Sequence, residues 1–179
     1  MPAISLGSLH VMVAMSSQQV AEGLRDILIM QRVGRVFVPA DNREAVAEMQ
    51  SRGFNLIIIE QDFPELGGVD FCRFLRLTSG PASVAPIIFG IPAPDRAKVL
   101  AARDAGATKI VAVPFTGASL MKAVQDAVSD PRPIIQTSSY NGPDRRQRVD
   151  PSFRGPERRQ KMPDMITPTL RTKILNGVE

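Results

Sequence analysis

At 179 residues, with a formal net charge of +4 and 44% hydrophobic residues, the chain has the size of one domain plus an extension. The charge is lopsided: residues 129–179 hold ten basic and six acidic residues, the whole of the excess, whereas residues 1–128 balance at twelve each. A lone cysteine (Cys72) excludes an internal disulfide, a lone histidine (His10) leaves no transition-metal set, and no apolar run approaches a membrane span, so a soluble, cytoplasmic chain without a resident metal is expected.

Residues 9–14 form a short, nearly continuous apolar run, the mark of a strand buried on both faces. Ser17 is placed to cap a helix through about Gln31, with Val20, Leu24, Ile27 and Leu28 on one face. Residues 36–38 predict a second strand. Asp41, with Glu44 three residues on, predicts a capping box for a helix that ends near Gly53. The run Leu56-Ile57-Ile58-Ile59 is the strongest strand signal in the chain. A loop with Pro64 and Gly67-Gly68 then leads into a helix over residues 69–77, where the spacing of Val69, Cys72 and Leu75 makes Cys72 a core thiol.

Residues 86–89 predict a fourth strand, and Asp95 starts an alanine-rich helix that stops at Gly106. Residues 110–113 predict a fifth strand, and Thr116 caps a last helix over about 118–128. Five buried strands alternating with five helices imply a parallel sheet with right-handed crossovers and helices on both faces. The expected fold of residues 1–128 is therefore α/β, a flavodoxin-like (βα)5 unit with strand order 2-1-3-4-5.

Residues 129–179 read differently. Seven of the fifteen prolines fall there beside the excess of arginine, which predicts a largely disordered basic tail. Within it, Tyr140-Asn141-Gly142-Pro143-Asp144-Arg145-Arg146-Gln147 returns thirteen residues later as Phe153-Arg154-Gly155-Pro156-Glu157-Arg158-Arg159-Gln160. A solvated linker has no physical reason to repeat itself in such detail. The rings of Tyr140 and Phe153 offer flat platforms for a nucleobase. The forks of Arg145, Arg146, Arg158 and Arg159, helped by Arg148 and Arg154, fit phosphate or the O6/N7 edge of guanine. Asp144 and Glu157 repel phosphate but accept from the N1–H and N2–H groups of guanine. The Gly-Pro pairs predict turns, each followed by one short helical turn that forms on ligand binding.

A doubled site suits a doubled ligand, and a cyclic dinucleotide of guanosine, cyclic di-GMP, carries two guanines and two phosphates. From charge alone, nonspecific contact with nucleic acid or an anionic surface is the competing reading. Residues 165–175 are weakly amphipathic through Ile166, Leu170 and Ile174, with Pro168 in the first turn, and fit a short docking helix or a disordered end.

The element order of residues 1–128 resembles the receiver domain of two-component response regulators. The residues that carry the likeness are Pro64 four positions beyond the end of strand three, Gly68 opening the next helix, Gly106-Ala107 before strand five and Pro114-Phe115 after it. In that family two acids after strand one hold Mg²⁺, an aspartate after strand three takes a phosphoryl group, a Thr or Ser ends strand four, and a lysine precedes the proline. The matching positions here are Met15-Ser16, Glu60, Ile91 (or a residue either side of it) and Val113. Methionine and serine lack the hard anionic oxygens Mg²⁺ takes. Ile91 and Val113 can neither bond nor neutralise an acyl phosphate, and Asp62, the alternative acceptor, has the same missing partners.

The resemblance thus implies a degenerate, non-catalytic receiver kept as a docking surface. The extension resembles the arginine-rich tail of CheY-like receivers that bind cyclic di-GMP and act at the flagellar motor. That likeness implies a flagellar switch protein as partner and a place at the motor or cell pole.

Overall fold

The computed structural model describes residues 5–146 and 163–177. Five parallel strands, β1 (His10–Ala14), β2 (Arg35–Phe37), β3 (Leu56–Glu60), β4 (Ile87–Pro92) and β5 (Lys109–Val113), form one sheet in the order β2-β1-β3-β4-β5, as expected. Helices α1 (Gln18–Met30) and α6 (Gly117–Val128) cover one face. Helices α2 (Asn42–Ser51), α3 (Gly68–Leu77) and α5 (Arg96–Asp104) cover the other. A four-residue helix, α4 (Pro81–Val84), stands between α3 and β4, in a stretch for which the sequence predicted no element.

The central strands alternate between the two layers. Ile57, Ile59, Ile87, Phe89 and Ile91 pack toward the α2–α3–α5 side, and Leu56, Ile58 and Ile88 toward α1 and α6. Both layers need apolar residues, so these strands read as unbroken hydrophobic runs. The expected caps are in place. Side-chain oxygens of Ser17, Asp41, Asp95 and Thr116 accept from the backbone N–H of Val20, Glu44, Lys98 and Ser119, each contributing about 1 kcal/mol. One face assignment shifts: α1 buries Ala21, Leu24 and Leu28, and Val20 stays 45% exposed, because the stripe at i, i+3, i+7 runs through the alanine.

The extension carries, in its described residues, secondary structure that composition did not predict. Its described residues form a three-stranded antiparallel sheet, β6 (Ile134–Gln136), β7 (Asn141–Pro143) and β8 (Asp164–Ile166), in the order β7-β6-β8, followed by helix α7 (Pro168–Asn176). Thr167 caps α7 and Pro168 occupies its first turn, where a missing N–H is harmless. Ile134 and Leu175 are both 1% exposed and belong to the same apolar cluster as Phe71, Leu75, Ala82 and Ala85. The helix that amphipathicity allowed thus docks on its own domain.

Arginines lock this seam. Arg171 donates to the carbonyls of Asp130 and Arg132, and Arg132 donates to the Thr108 carbonyl (2.7 Å) while pairing with the Asp130 carboxylate. Arg76, 2% exposed on α3, donates to the carbonyls of Gly106, Ser83 and Ala85 at 2.8–3.0 Å. Among its donor bonds are no carboxylates. Its role is to satisfy carbonyls left over where α4, the turn before β5 and the extension meet.

Candidate functional site

Two regions carry the residues singled out by sequence. At the carboxyl ends of the strands, Glu60 closes β3, and its Oε2 accepts from the backbone N–H of Ser16 at 2.7 Å and from the Ser16 hydroxyl. Met15 is buried, 3% exposed, so its thioether belongs to the core and Ser16 is the residue that faces Glu60. Gly68 packs against the Glu60 carbonyl so closely that a β-carbon there would stand 2.2 Å from the oxygen, which explains the glycine at the start of α3.

Across the sheet, Glu60 is in register with Gly90, and a β-carbon on Gly90 would lie 2.7 Å from Val113 Cγ1. The Val113 side chain therefore lies over Gly90 of β4. Ile91, fully buried, points into the core cluster beneath. Asp62 lies exposed in the loop beyond β3. The five positions of the phosphorylation site thus offer one carboxylate, whose Oε2 is occupied by Ser16, and the further acid Asp62 is out in the loop. These residues do not fit the Mg²⁺ that receivers hold.

The second region is the first copy of the repeat. Gly142-Pro143, expected to turn, lies in β7 as an edge strand, where proline's missing N–H leaves no ladder bond unmade. No helical turn follows among the described residues 144–146. The Asp144 N–H donates to the Pro133 carbonyl at 2.9 Å, and the Asp144 carboxylate accepts from the Arg146 N–H at 3.0 Å, a local turn that takes the place of the expected helix start. The Tyr140 hydroxyl donates to the Pro143 carbonyl at 2.7 Å, and burial pushes its phenol above the usual range. The Arg145 guanidinium lies 4.0 Å over the Tyr140 ring, and its Nη1 donates to Asp104 Oδ1 at 2.7 Å.

Tyr140 and Arg145 are thus brought together, with Asp144 and Arg146 beside them. A cleft lined by Arg73, Leu77, Asp104, Ser138, Tyr140 and Asn141 opens next to the ring. Arg148, Phe153, Arg154, Glu157, Arg158 and Arg159 lie outside the described residues. Sequence reading missed Asp104 and Arg76. Asp104 sits 41 residues before Arg145, a separation no local pattern reports, and Arg76 looks like an ordinary cation at the end of a helix. Among the described residues no group of three His, Cys, Asp or Glu side chains is placed to hold a metal, and no helix is long and apolar enough to cross a membrane.

Residues 11–125 match the family model described as the response regulator receiver domain. Solved structures agree on the fold. A putative response regulator from Chloroflexus aurantiacus is 21% identical, with a TM-score of 0.62 over 68% of this chain and 98% of that one. The receiver domain of a sensor histidine kinase from Pseudomonas aeruginosa, with magnesium coordinated in its active-site cleft, is 20% identical with a TM-score of 0.61 and the same coverage. The chemotaxis response regulator CheY4 of Vibrio cholerae is 25% identical, with a TM-score of 0.60 over 66% of this chain and 98% of that one.

Proposed function

The chain belongs to the response regulator receiver domain family, and from that premise we propose that it is a non-catalytic receiver governed by a guanine dinucleotide in place of phosphoryl transfer. Phosphorylation is disfavoured by the chemistry present: Glu60 is tied to Ser16, and Val113 fills the position of a neutralising cation. Cyclic di-GMP is the proposed ligand, bound by Arg145, Arg146, Arg158 and Arg159 with Asp144 and Glu157, and stacked on Tyr140 and Phe153. The observation that carries this reading is the repeat itself, whose first copy sets an arginine fork on an aromatic face beside a carboxylate. Ligand binding then controls docking of the receiver on a protein partner. A flagellar motor switch protein is the partner proposed, from the resemblance of the extension.

Isothermal titration of the full chain with cyclic di-GMP tests this. Binding is expected, with Arg145→Ala weakening it by about 1–3 kcal/mol if the fork is bidentate. Absence of binding, or equal binding of cyclic di-AMP, sinks the proposal. A basic tail that merely contacts phosphates predicts affinity for generic DNA that falls steeply with salt, and that affinity would rise in Asp144→Asn/Glu157→Gln. A guanine site weakens in the same variant.

A further inference from the structure

The two features that suit Tyr140 and Arg145 to a nucleotide are already occupied by the chain itself. The Tyr140 ring carries the Arg145 guanidinium on its face, and the Arg145 fork is engaged by Asp104, the last residue of α5. Asp104 Oδ1 also takes a hydrogen bond from Arg103 at 3.0 Å, so the carboxylate is held in place from its own helix. A phosphate approaching Arg145 needs the same guanidinium N–H groups that Asp104 now accepts from, because carboxylate and phosphate oxygens compete for one fork. A base stacking on the face of Tyr140 needs the space where Arg145 now lies.

We propose that Asp104 is the resident anion of the nucleotide site, a residue of the receiver domain that occupies the phosphate position and holds the site shut until a dinucleotide displaces it. The proposal rests on the reading of the extension as a cyclic di-GMP site, and adds to it a receiver residue that sets the affinity. Its energetic scale suits a latch. Both side chains are partly exposed, 40% for Arg145 and 43% for Asp104, and an ion pair of that exposure is weak enough for a bound ligand to break.

Its position suits signalling. Asp104 leads directly into Ala105 and Gly106, and Gly106 abuts Gly142 of the extension. Releasing Arg145 therefore frees the carboxyl end of α5 at the point where extension and receiver touch. The Asn141 side chain, which donates to the Arg76 carbonyl at 3.4 Å, and Arg132, which donates to the Thr108 carbonyl, stay as ties between them.

The test compares the full wild-type chain with Asp104→Asn and Asp104→Glu in titrations with cyclic di-GMP, at about 50 mM and about 500 mM salt. Asp104→Asn is expected to bind two- to fivefold more tightly at the lower salt, the size of an exposed ion pair, with the gap closing at the higher salt. Asp104→Glu is expected to stay near wild type. Tyr140 is the only tyrosine and the chain has no tryptophan, so emission of the nucleotide-free protein reports on the latch directly and is expected to change in Asp104→Asn. Equal or weaker nucleotide binding by Asp104→Asn, or unchanged emission, overturns the latch. If neither wild type nor Asp104→Asn binds, the nucleotide reading itself fails, an outcome distinct from binding by both without a difference.

Discussion

Gly142 and Gly106 stand back to back: a β-carbon on Gly142 would lie 2.7 Å from the Gly106 Cα, and one on Gly106 would lie 2.5 Å from the Asn141 carbonyl oxygen. The extension reaches the receiver through backbone here, with the Arg76 and Tyr140 side chains packed against the same two glycines. Gly142→Ala must push two main chains apart, so it is expected to destabilise the fold by roughly 1–3 kcal/mol in urea unfolding. Gly23, exposed in the middle of α1 with nothing near its β-carbon position, is the contrast. There alanine is expected to stabilise by roughly 0.5–1 kcal/mol through helix propensity. Equal effects at the two sites would refute the close contact.

Arg76 is the next point of leverage. Its guanidinium is the donor for carbonyls of Gly106, Ser83 and Ala85, groups from two separate segments, α4 with its cap and the turn before β5. Methionine fills similar volume and leaves those buried acceptors without it. Since each unsatisfied group is worth roughly 1–3 kcal/mol, Arg76→Met is expected to destabilise by at least about 3 kcal/mol. Thermal unfolding monitored by far-ultraviolet circular dichroism measures it. A loss below about 1 kcal/mol would mean that water reaches these carbonyls.

The receiver was legible because its signals are long or repeated: four-residue apolar runs for β3 and β4, and Ser17, Asp41, Asp95 and Thr116 as caps, where the side chain itself makes the predicted bond. The residue types at the positions where receivers carry their phosphorylation chemistry were legible for the same reason, since Pro64 and Pro114 fix those positions. The extension was not, because a three-residue strand shows no period, and Ile134 and Leu175 are single anchors without a stripe. Composition there argued for disorder, and long-range bonds from Arg132 and Arg171 override it in the described residues. Asp104 escaped notice because its partner lies on a different element.

Cys72 is fully buried on α3, its Sγ 3.4 Å from the Ala105 carbonyl, and burial pushes its thiol up to about 11. The folded value is raised above the unfolded one, so this contribution to stability is complete below the unfolded value and is lost as pH rises through about 11. In native protein at pH 8, a thiol reagent is expected to react only at the rate of global unfolding, and to react at once in denaturant. Fast labelling of the native chain would place Cys72 at the surface.

Glu60 makes a prediction about what does not happen. Beryllofluoride with Mg²⁺ is expected to leave both the thermal midpoint and the amide spectrum of the chain unchanged, because Met15 and Ser16 supply no carboxylate to hold the metal. Glu60→Gln keeps the shape and removes the charge that assists two hydrogen bonds from Ser16. It is expected to lower stability by about 1–2 kcal/mol. A clear spectral shift with beryllofluoride in wild type would restore phosphoryl control.

The contact between Asp104 and Arg145 also sets a pH boundary. Burial pushes the Asp104 carboxyl up, but hydrogen bonds and charge from Arg145 and Arg103 outweigh this and hold it below the ordinary carboxylate range. A depressed value means that the contribution is present above the unfolded carboxylate value and is lost as pH falls through the folded one. Tyr140 emission should therefore be flat from neutral pH down to the ordinary carboxylate value of about 4, then change as the pair breaks below it. Burial keeps the Tyr140 phenol protonated through the same window, so the fluorophore itself does not titrate there. Asp104→Asn should abolish the acid transition and show its low-pH emission at every pH. A transition that begins well above pH 5, or that survives in Asp104→Asn, would assign the signal to another carboxylate and detach Arg145 from α5.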